Sequence, residues 1–460
     1  MRTAVKKSLL AIAISGVIAS PVVNATNGYF GHGYSTKEKG LAGAGTAFSQ
    51  DAMAAATNPA GMAFVGERMD IGAALFSPSP RSYKVTGNVL PPPPAPGSNP
   101  MLPFGSGINA IPGEKVESDG DFFLVPHFAY NWQLSSENTA GISIYGNGGM
   151  NTEYKASDTP FDAGTFGSGT AGVNLEQLFF NISFSRMLNS KHAVGASLIL
   201  AAQRFSAQGV DGFAALSLDP SNMSGDKNAT SVGAGLKVGY QGEVSPGIRV
   251  GVSYQSKVSM GEFDDYKGLF AEGGGFDIPS TYNIGVSFDV GSSGVIVADL
   301  QRINYSDVSS ISNPVGNALP PTGSCIPAGF NPDPTVTGAV GAGCLGGADG
   351  GGFGWDDITV FKVGYQIDMG DNTYRVGYSH SDQPVPKSQT LFNILAPAVI
   401  QDHVTAGWTM KVGSNQEFNL SAMLALEESV KGDNPVDGGQ SQIEIEMSQW
   451  ELQAGWAWKY

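Results

Sequence analysis

Five basic residues, Lys237, Arg249, Lys257, Lys362 and Arg375, fall within segments where apolar and small or polar residues alternate, and each sits on the polar side of the alternation. Successive side chains of a strand point to opposite faces, so these cations share a face with Gly, Ser and Gln and lie opposite a row of apolar residues. A cation in a poorly hydrated interior can hold a carboxylate through charge-assisted hydrogen bonds that solvent screens little. The competing use is internal: the same cations can pair with Asp299, Glu427, Glu444 or Glu446, or with acids of the N-terminal segment. Hydrolytic chemistry is poorly represented. His32, His127, His192, His380 and His403 are scattered, Gly-x-Ser-x-Gly does not occur, and no histidine pair has metal-ligand spacing. His403 beside Asp402 is the remaining place for a barrel enzyme's centre, and neither metal nor cofactor is expected. Cys325 and Cys344 lie in one Gly/Pro-rich stretch and would pair as a loop staple in an oxidising compartment; two free thiols or a metal pair are the alternatives.

The elements that must position these residues are strands. Only 14% of the 460 residues are charged, against roughly 25% in a soluble domain. The net charge of −16 argues against a nucleic-acid surface, and no run of 18 apolar residues follows the N-terminus, which excludes a helical membrane protein. Residues 1–25 read as a secretory leader: Arg2, Lys6 and Lys7, an apolar run from Ser8 to Ala19, and the small-residue site Val23-Asn24-Ala25. Period-2 alternation then yields fourteen strand candidates at 67–77, 121–133, 137–150, 173–187, 192–206, 229–242, 247–262, 278–290, 293–306, 355–368, 372–383, 400–412, 416–430 and 443–460. Long and short links alternate between them. That rhythm, with an even strand number, is what an all-β, 14-stranded antiparallel transmembrane barrel requires. The apolar face meets outer-membrane lipid, and the C-terminal strand, rich in aromatics, suits an interface girdle and recognition by the barrel-assembly machinery. Its alternation slips between Met447 and Trp450, where a bulge is expected. Residues 26–66 do not alternate. Asp51 can cap a short helix that Asn58-Pro59 stops, and a segment this small belongs inside the barrel, as a plug of short helices preceding the barrel of residues 67–460.

Several motifs then resemble the FadL and TodX family of outer-membrane transport proteins. They are Leu41-Ala42-Gly43-Ala44-Gly45-Thr46-Ala47, the Asp51 helix and the tetrad Asn58-Pro59-Ala60-Gly61, followed by Leu269-Phe270-Ala271-Glu272, Asp277-Ile278-Pro279, Ile303-Asn304-Tyr305-Ser306-Asp307 and Pro384-Val385-Pro386. The resemblance implies a monomeric barrel in a Gram-negative outer membrane that passes small hydrophobic molecules passively. Long-chain fatty acids or their derivatives come first, with aromatic or alkyl hydrocarbons as the alternative. It implies a capture groove on the third and fourth outer loops, with Phe213, Leu216, Leu218, Leu269, Phe270 and Phe276. It also implies a lateral opening at a kinked third strand, here Gly146-Asn147-Gly148-Gly149. One departure stands out. Fatty-acid-binding members often carry a basic residue before the Asp that opens strand ten, whereas this chain reads Gly354-Trp355-Asp356-Asp357, which makes Lys362, further along that strand, the substitute.

Overall fold

The computed structural model describes residues 26–88, 107–156, 164–319 and 323–460; the expected leader lies outside the described residues. Fourteen long strands form one ring. They are β1 (Arg68–Ser77), β2 (Phe123–Gln133), β3 (Asn138–Tyr154), β4 (Ala171–Asn189), β5 (His192–Gln208), β6 (Ala229–Ser245) and β7 (Ile248–Gln255), then β8 (Thr281–Val290), β9 (Gly294–Ile303), β10 (Ile358–Met369), β11 (Asn372–Ser381), β12 (Asp402–Val412), β13 (Gln416–Asp433) and β14 (Ser441–Lys459). Each pairs antiparallel with the next, and β1 pairs with β14 from Arg68↔Lys459 to Ser77↔Trp450, which closes the barrel and leaves no edge. Links at one end are short, such as 190–191, 246–247 and 370–371. At the other end they are outer loops 1 to 7: 78–122, 155–170, 209–228, 256–280, 304–357, 382–401 and 434–440. Every strand candidate read from the alternation corresponds to one of the fourteen.

The alternation divides the side chains as a membrane barrel must. Ile182, Phe184, Leu198, Leu236, Ile284, Val376 and Leu424 stand exposed on the outside, while Ser183, Ser197, Asn283, Gln301, Thr405 and Gln453 are buried in the lumen. At the short-turn rim Trp408, Phe418, Trp456 and Trp458 form a chain of ring contacts, the girdle expected of a membrane interface.

In the outer part of the wall the division inverts. On β14, Ile443, Ile445 and Met447 are buried inside, with Glu444 and Glu446 paired outside to Lys84 and Lys115; nearer the turns Gln449, Glu451 and Gln453 are inside and Leu452 is outside. On β4, Val173 and Leu175 face in, and Glu176 meets Arg204 of β5 outside at 2.6 Å. The slip read between Met447 and Trp450 is therefore a change of which face is apolar, with the strand's own alternation unbroken. The register irregularity lies on the neighbouring strand, between Ala425 and Glu428 of β13. Beyond the bilayer the outside is water and the inside is an oily chamber.

β1 and β2 are short, so above them the wall between β14 and β3 is completed by loop 1. Strand Arg81–Gly87 pairs with the outer part of β14, Lys115–Glu117 pairs with it in turn, and Asp119 N donates to Glu153 O of β3 at 2.8 Å.

Candidate functional site

The lumen is filled by residues 26–66. Helix α1 (Thr36–Lys39) starts where Ser35 Oγ accepts from Glu38 N at 3.0 Å, and α2 (Ala54–Thr57) runs into a 3-10 helix, Pro59–Phe64. Asp51 accepts from Met53 N, one turn before α2 rather than at its cap. The tetrad has a mechanical reading. Asn58 Oδ1 accepts from Ala60 N, while its Nδ2 donates to Thr46 O at 2.8 Å and to Tyr240 O of β6 at 2.9 Å. Pro59 opens the 3-10 helix, Ala60 is fully buried, and a Cβ on Gly61 would stand 1.8 Å from Ser49 Oγ.

Ionic contacts fasten this plug to the last strands. Glu417 of β13 takes Lys37 at 2.6 Å and Arg68 at 3.1 Å, with Lys459 as a third partner; Glu451 of β14 takes Lys39 at 2.8 Å. Asp299 accepts from both Gly45 N and Thr46 N at 2.9 Å, and Asp70 from Ala52 N. The sequence reading named Asp299 but missed Lys37, Lys39, Asp70, Glu417 and Glu451. Glu417 and Glu451 occupy inward positions of the alternation, which was the available signal. Glu444 and Glu446 pair outside the wall, as given above, and Glu427 lies at the irregularity of β13.

Of the five cations, three hydrogen-bond to the plug and a fourth, Arg249, lies over the ring of Phe48 in it at 5.9 Å. Lys362 donates to His32 O at 3.1 Å, Lys237 to Ala56 O, and Arg375 to Gln50 Oε1 at 2.9 Å. Arg249 lies at the short-turn rim, 2.8 Å from Asp289. Lys257 lies beyond β7 in loop 4, partly exposed and 2.9 Å from Asp277, whose hydrogen bond holds the ammonium pKa above its ordinary value; it is not in the lumen. Asp402 and His403 point to opposite faces of β12. His403 bonds Ser379 inside, whereas Asp402 takes His380 outside, so the adjacency in sequence makes no catalytic pair. Among the described residues no three His, Cys, Asp or Glu side chains cluster as a metal site.

The third strand is kinked where its glycines lie. Pairing of β3 with β2 stops at Tyr145↔His127, and its register with β4 shifts between Gly146 and Gly148. The start of the plug takes the vacated place: Gly31 N donates to Asn147 O at 3.1 Å and Gly149 N to Tyr29 O at 3.0 Å. A Cβ on Gly148 would stand 1.7 Å from Tyr29 O, so only glycine admits this approach. A small cavity of about 30 Å³ lies beside the kink, lined by Gly28, Phe76, Arg81, Met150, Trp355 and Met447 among others.

A second, narrow cleft of about 30 Å³ lies under the outer loops. Phe213, Leu269 and Phe270 line it as expected, joined by Phe205, Phe353 and Phe392, which the sequence reading did not single out. Leu216 and Phe276 are buried but do not line this cleft, and Leu218 is exposed. Loop 5 covers the cleft. Cys325 and Cys344 are bonded, and next to them Leu345 exchanges backbone hydrogen bonds with Leu216 and Leu218 of loop 3 at 2.9 and 3.0 Å. Thiol labelling of unreduced protein is expected to modify neither cysteine; modification of both in the folded protein would contradict the staple. Aromatic contacts connect the two cavities: Phe270 to Phe276 at 4.8 Å, Phe276 to Tyr29 at 6.3 Å, and Tyr29 to Trp355 at 5.9 Å.

A closed fourteen-stranded barrel, plugged by its N-terminal segment and apolar within its outer chamber, is an outer-membrane channel for hydrophobic compounds. Residues 17–431 match the family described as outer membrane protein transport protein (OMPP1/FadL/TodX), and the chain belongs to that family. Solved structures share the fold. The toluene transporter TodX of Pseudomonas putida is 18% identical, with TM-score 0.64, covering 93% of this chain and 99% of its own. The toluene transporter TbuX of Ralstonia pickettii is 16% identical, with TM-score 0.59 and coverages of 93% and 99%. A FadL homologue of Pseudomonas aeruginosa is 15% identical, with TM-score 0.61 and coverages of 94% and 99%. No curated protein sequence matches this chain.

Proposed function

We propose that the channel takes up neutral aromatic or alkyl hydrocarbons, in place of the fatty acids that the sequence reading put first. The observation that carries this is the lining of the outer cleft: twelve apolar or glycine residues and Ser310, with no charged side chain. Such a cleft gains from apolar surface, at roughly 25 cal/mol per Å², and offers a carboxylate nothing. Two of the structural relatives are named as toluene transporters, which agrees with this reading. Cargo captured under loops 3, 4 and 5 moves along Phe276, Tyr29 and Trp355 to the cavity beside Gly148. It leaves sideways when residues 27–31 withdraw from the kink. Outside that cavity Leu75, Phe122 and Leu124 are exposed apolar residues of the wall, suited to release into lipid. Lys237, Lys362 and Arg375 hold the plug in this scheme and do not bind cargo.

The test is Phe213→Asp, which puts a charge into the cleft while leaving plug and strands intact. Toluene uptake by cells carrying the variant is expected to fall about ten-fold or more, the equivalent of losing one buried aromatic contact and adding an unpaired charge. Undiminished toluene uptake by a correctly assembled variant would remove the cleft from the route.

A further inference from the structure

His32 follows directly on the plug residues that fill the kink. Its ring lies 6.1 Å from that of His403 of β12, centroid to centroid, and nearly parallel to it at 13°. Both residues are fully buried. Neither nitrogen of His32 has a hydrogen-bond partner, while His403 bonds Ser379 through Nδ1 and has Nε2 left over. Two lysines share the place. Lys362 of β10 donates to His32 O at 3.1 Å and approaches Gly43 O at 3.5 Å, and Lys39 of α1 acts on His32 from its pair with Glu451. The acids are engaged elsewhere. Glu38 of α1 and Asp299 of β9 act on Lys362, yet Glu38 is held by Thr57 and Asp299 by Gly45 N and Thr46 N. Asp402 of β12 and His380 of β11 pair with each other on the outer face of the wall, and the Thr26 backbone lies beside the His403 ring. Among the described residues no carboxylate is in ion-pair contact with either buried ring.

Two neutral imidazoles fit this place; two imidazoliums do not. A ring that takes a proton here becomes a buried cation beside Lys362 and Lys39, with no anion to meet it. Released to water, each ring would titrate near its ordinary pKa of about 6.5. The seated segment therefore binds fewer protons than the released one, and its stability, full above that pH, is lost as the pH falls below it. We propose that His32 and His403 form an acid-sensitive catch, which keeps residues 27–32 in the kinked strand at neutral pH and frees them when both rings take protons. The bonds that part are those from Gly31 N to Asn147 O and from Gly149 N to Tyr29 O. The proposal rests on the reading that withdrawal of this segment lets cargo leave, and it adds what regulates the withdrawal. A channel so built passes more cargo in acid.

Hydrogen exchange of the full chain in lipid nanodiscs, read by mass spectrometry and corrected for the intrinsic pH dependence of exchange, tests this. Between about pH 7 and about pH 5, protection of residues 27–34 is expected to fall about 25-fold for each ring that stays neutral while seated, and about 600-fold for both. Protection of β13 and β14 should stay constant. His32→Gln combined with His403→Gln should flatten the profile. His32→Phe combined with His403→Asn should do the same, and this second pair keeps a ring at 32 and an amide for Ser379 at 403. Unchanged protection in the wild-type protein overturns the catch. So does a fall that persists in both double variants, which would belong to the carboxylates that fasten the plug. Toluene passage into liposomes that does not rise as the segment is released would leave the catch standing and overturn withdrawal as the exit step.

Discussion

Removal of residues 26–66 is expected to turn a closed protein into an open pore. The strands form their ring through backbone pairs that include none of these residues, and β1 begins only at Arg68. What the deletion exposes is a lumen lined by Ser197, Gln241, Gln255, Asn283, Thr405 and Asn419, all buried in the intact protein, a surface that water and ions wet readily. In planar bilayers the intact chain should show no sustained conductance, and the truncated chain should show discrete steps of porin size. Closed behaviour of a correctly inserted truncation would mean that the loops seal the barrel and the N-terminal segment does not.

Glu417→Ala is expected to have the largest effect of any single substitution on the seating of the plug. Among the described residues its carboxylate is the one acid paired to Lys37, and it also serves Arg68 and Lys459. Arg68 keeps Asp70 at 2.7 Å, but Lys37 would be left buried with only a long contact to Gln50 O at 3.4 Å. Removing one partner of a buried pair typically costs about 3–5 kcal/mol, which corresponds to roughly a hundred- to a few thousand-fold rise in the unseated fraction. Single-channel recordings should show frequent bursts where the native protein is silent. Adding Lys37→Met should suppress most of them, since the double variant leaves no charge stranded. A silent Glu417→Ala channel would show that this network does not hold the plug.

The barrel was legible in the sequence because a wall between lipid and a polar lumen imposes one period on every strand, as in Leu236, Val238 and Tyr240 of β6. The kink was legible for a local reason: Gly146-Asn147-Gly148-Gly149 offers a strand little side-chain packing, and the structure places a register shift there and uses the missing Cβ of Gly148 for a close backbone approach. The ionic fastening of the plug was not legible. Lys37 and Glu417 lie 380 residues apart, and nothing in the local pattern around either names the other. Arg81 escaped for a different reason. It stands beside Pro80 in a loop that reads as polar surface, and its burial follows only from loop 1 completing the wall above two short strands. The apparent slip at Met447 misled because alternation was taken to mean one outer environment, whereas β14 passes from lipid into water. Lys257 was placed inside by extending an alternation that ends at Gln255.

The fastening of the plug also bears on the order of assembly. The contacts Lys37–Glu417 and Lys39–Glu451 span 380 and 412 residues, and both acids belong to the last two strands made. Contacts of such separation carry the largest loop-closure entropy and form late. While the chain is threaded into the membrane, the plug therefore lacks its main anchors until β13 and β14 arrive. The pairing of β14 with β1 then seals the ring around it. A chain stalled before β13 would present an incomplete sheet whose N-terminal segment has its contacts to Asp299 and Tyr240 but lacks both ion pairs to Glu417 and Glu451.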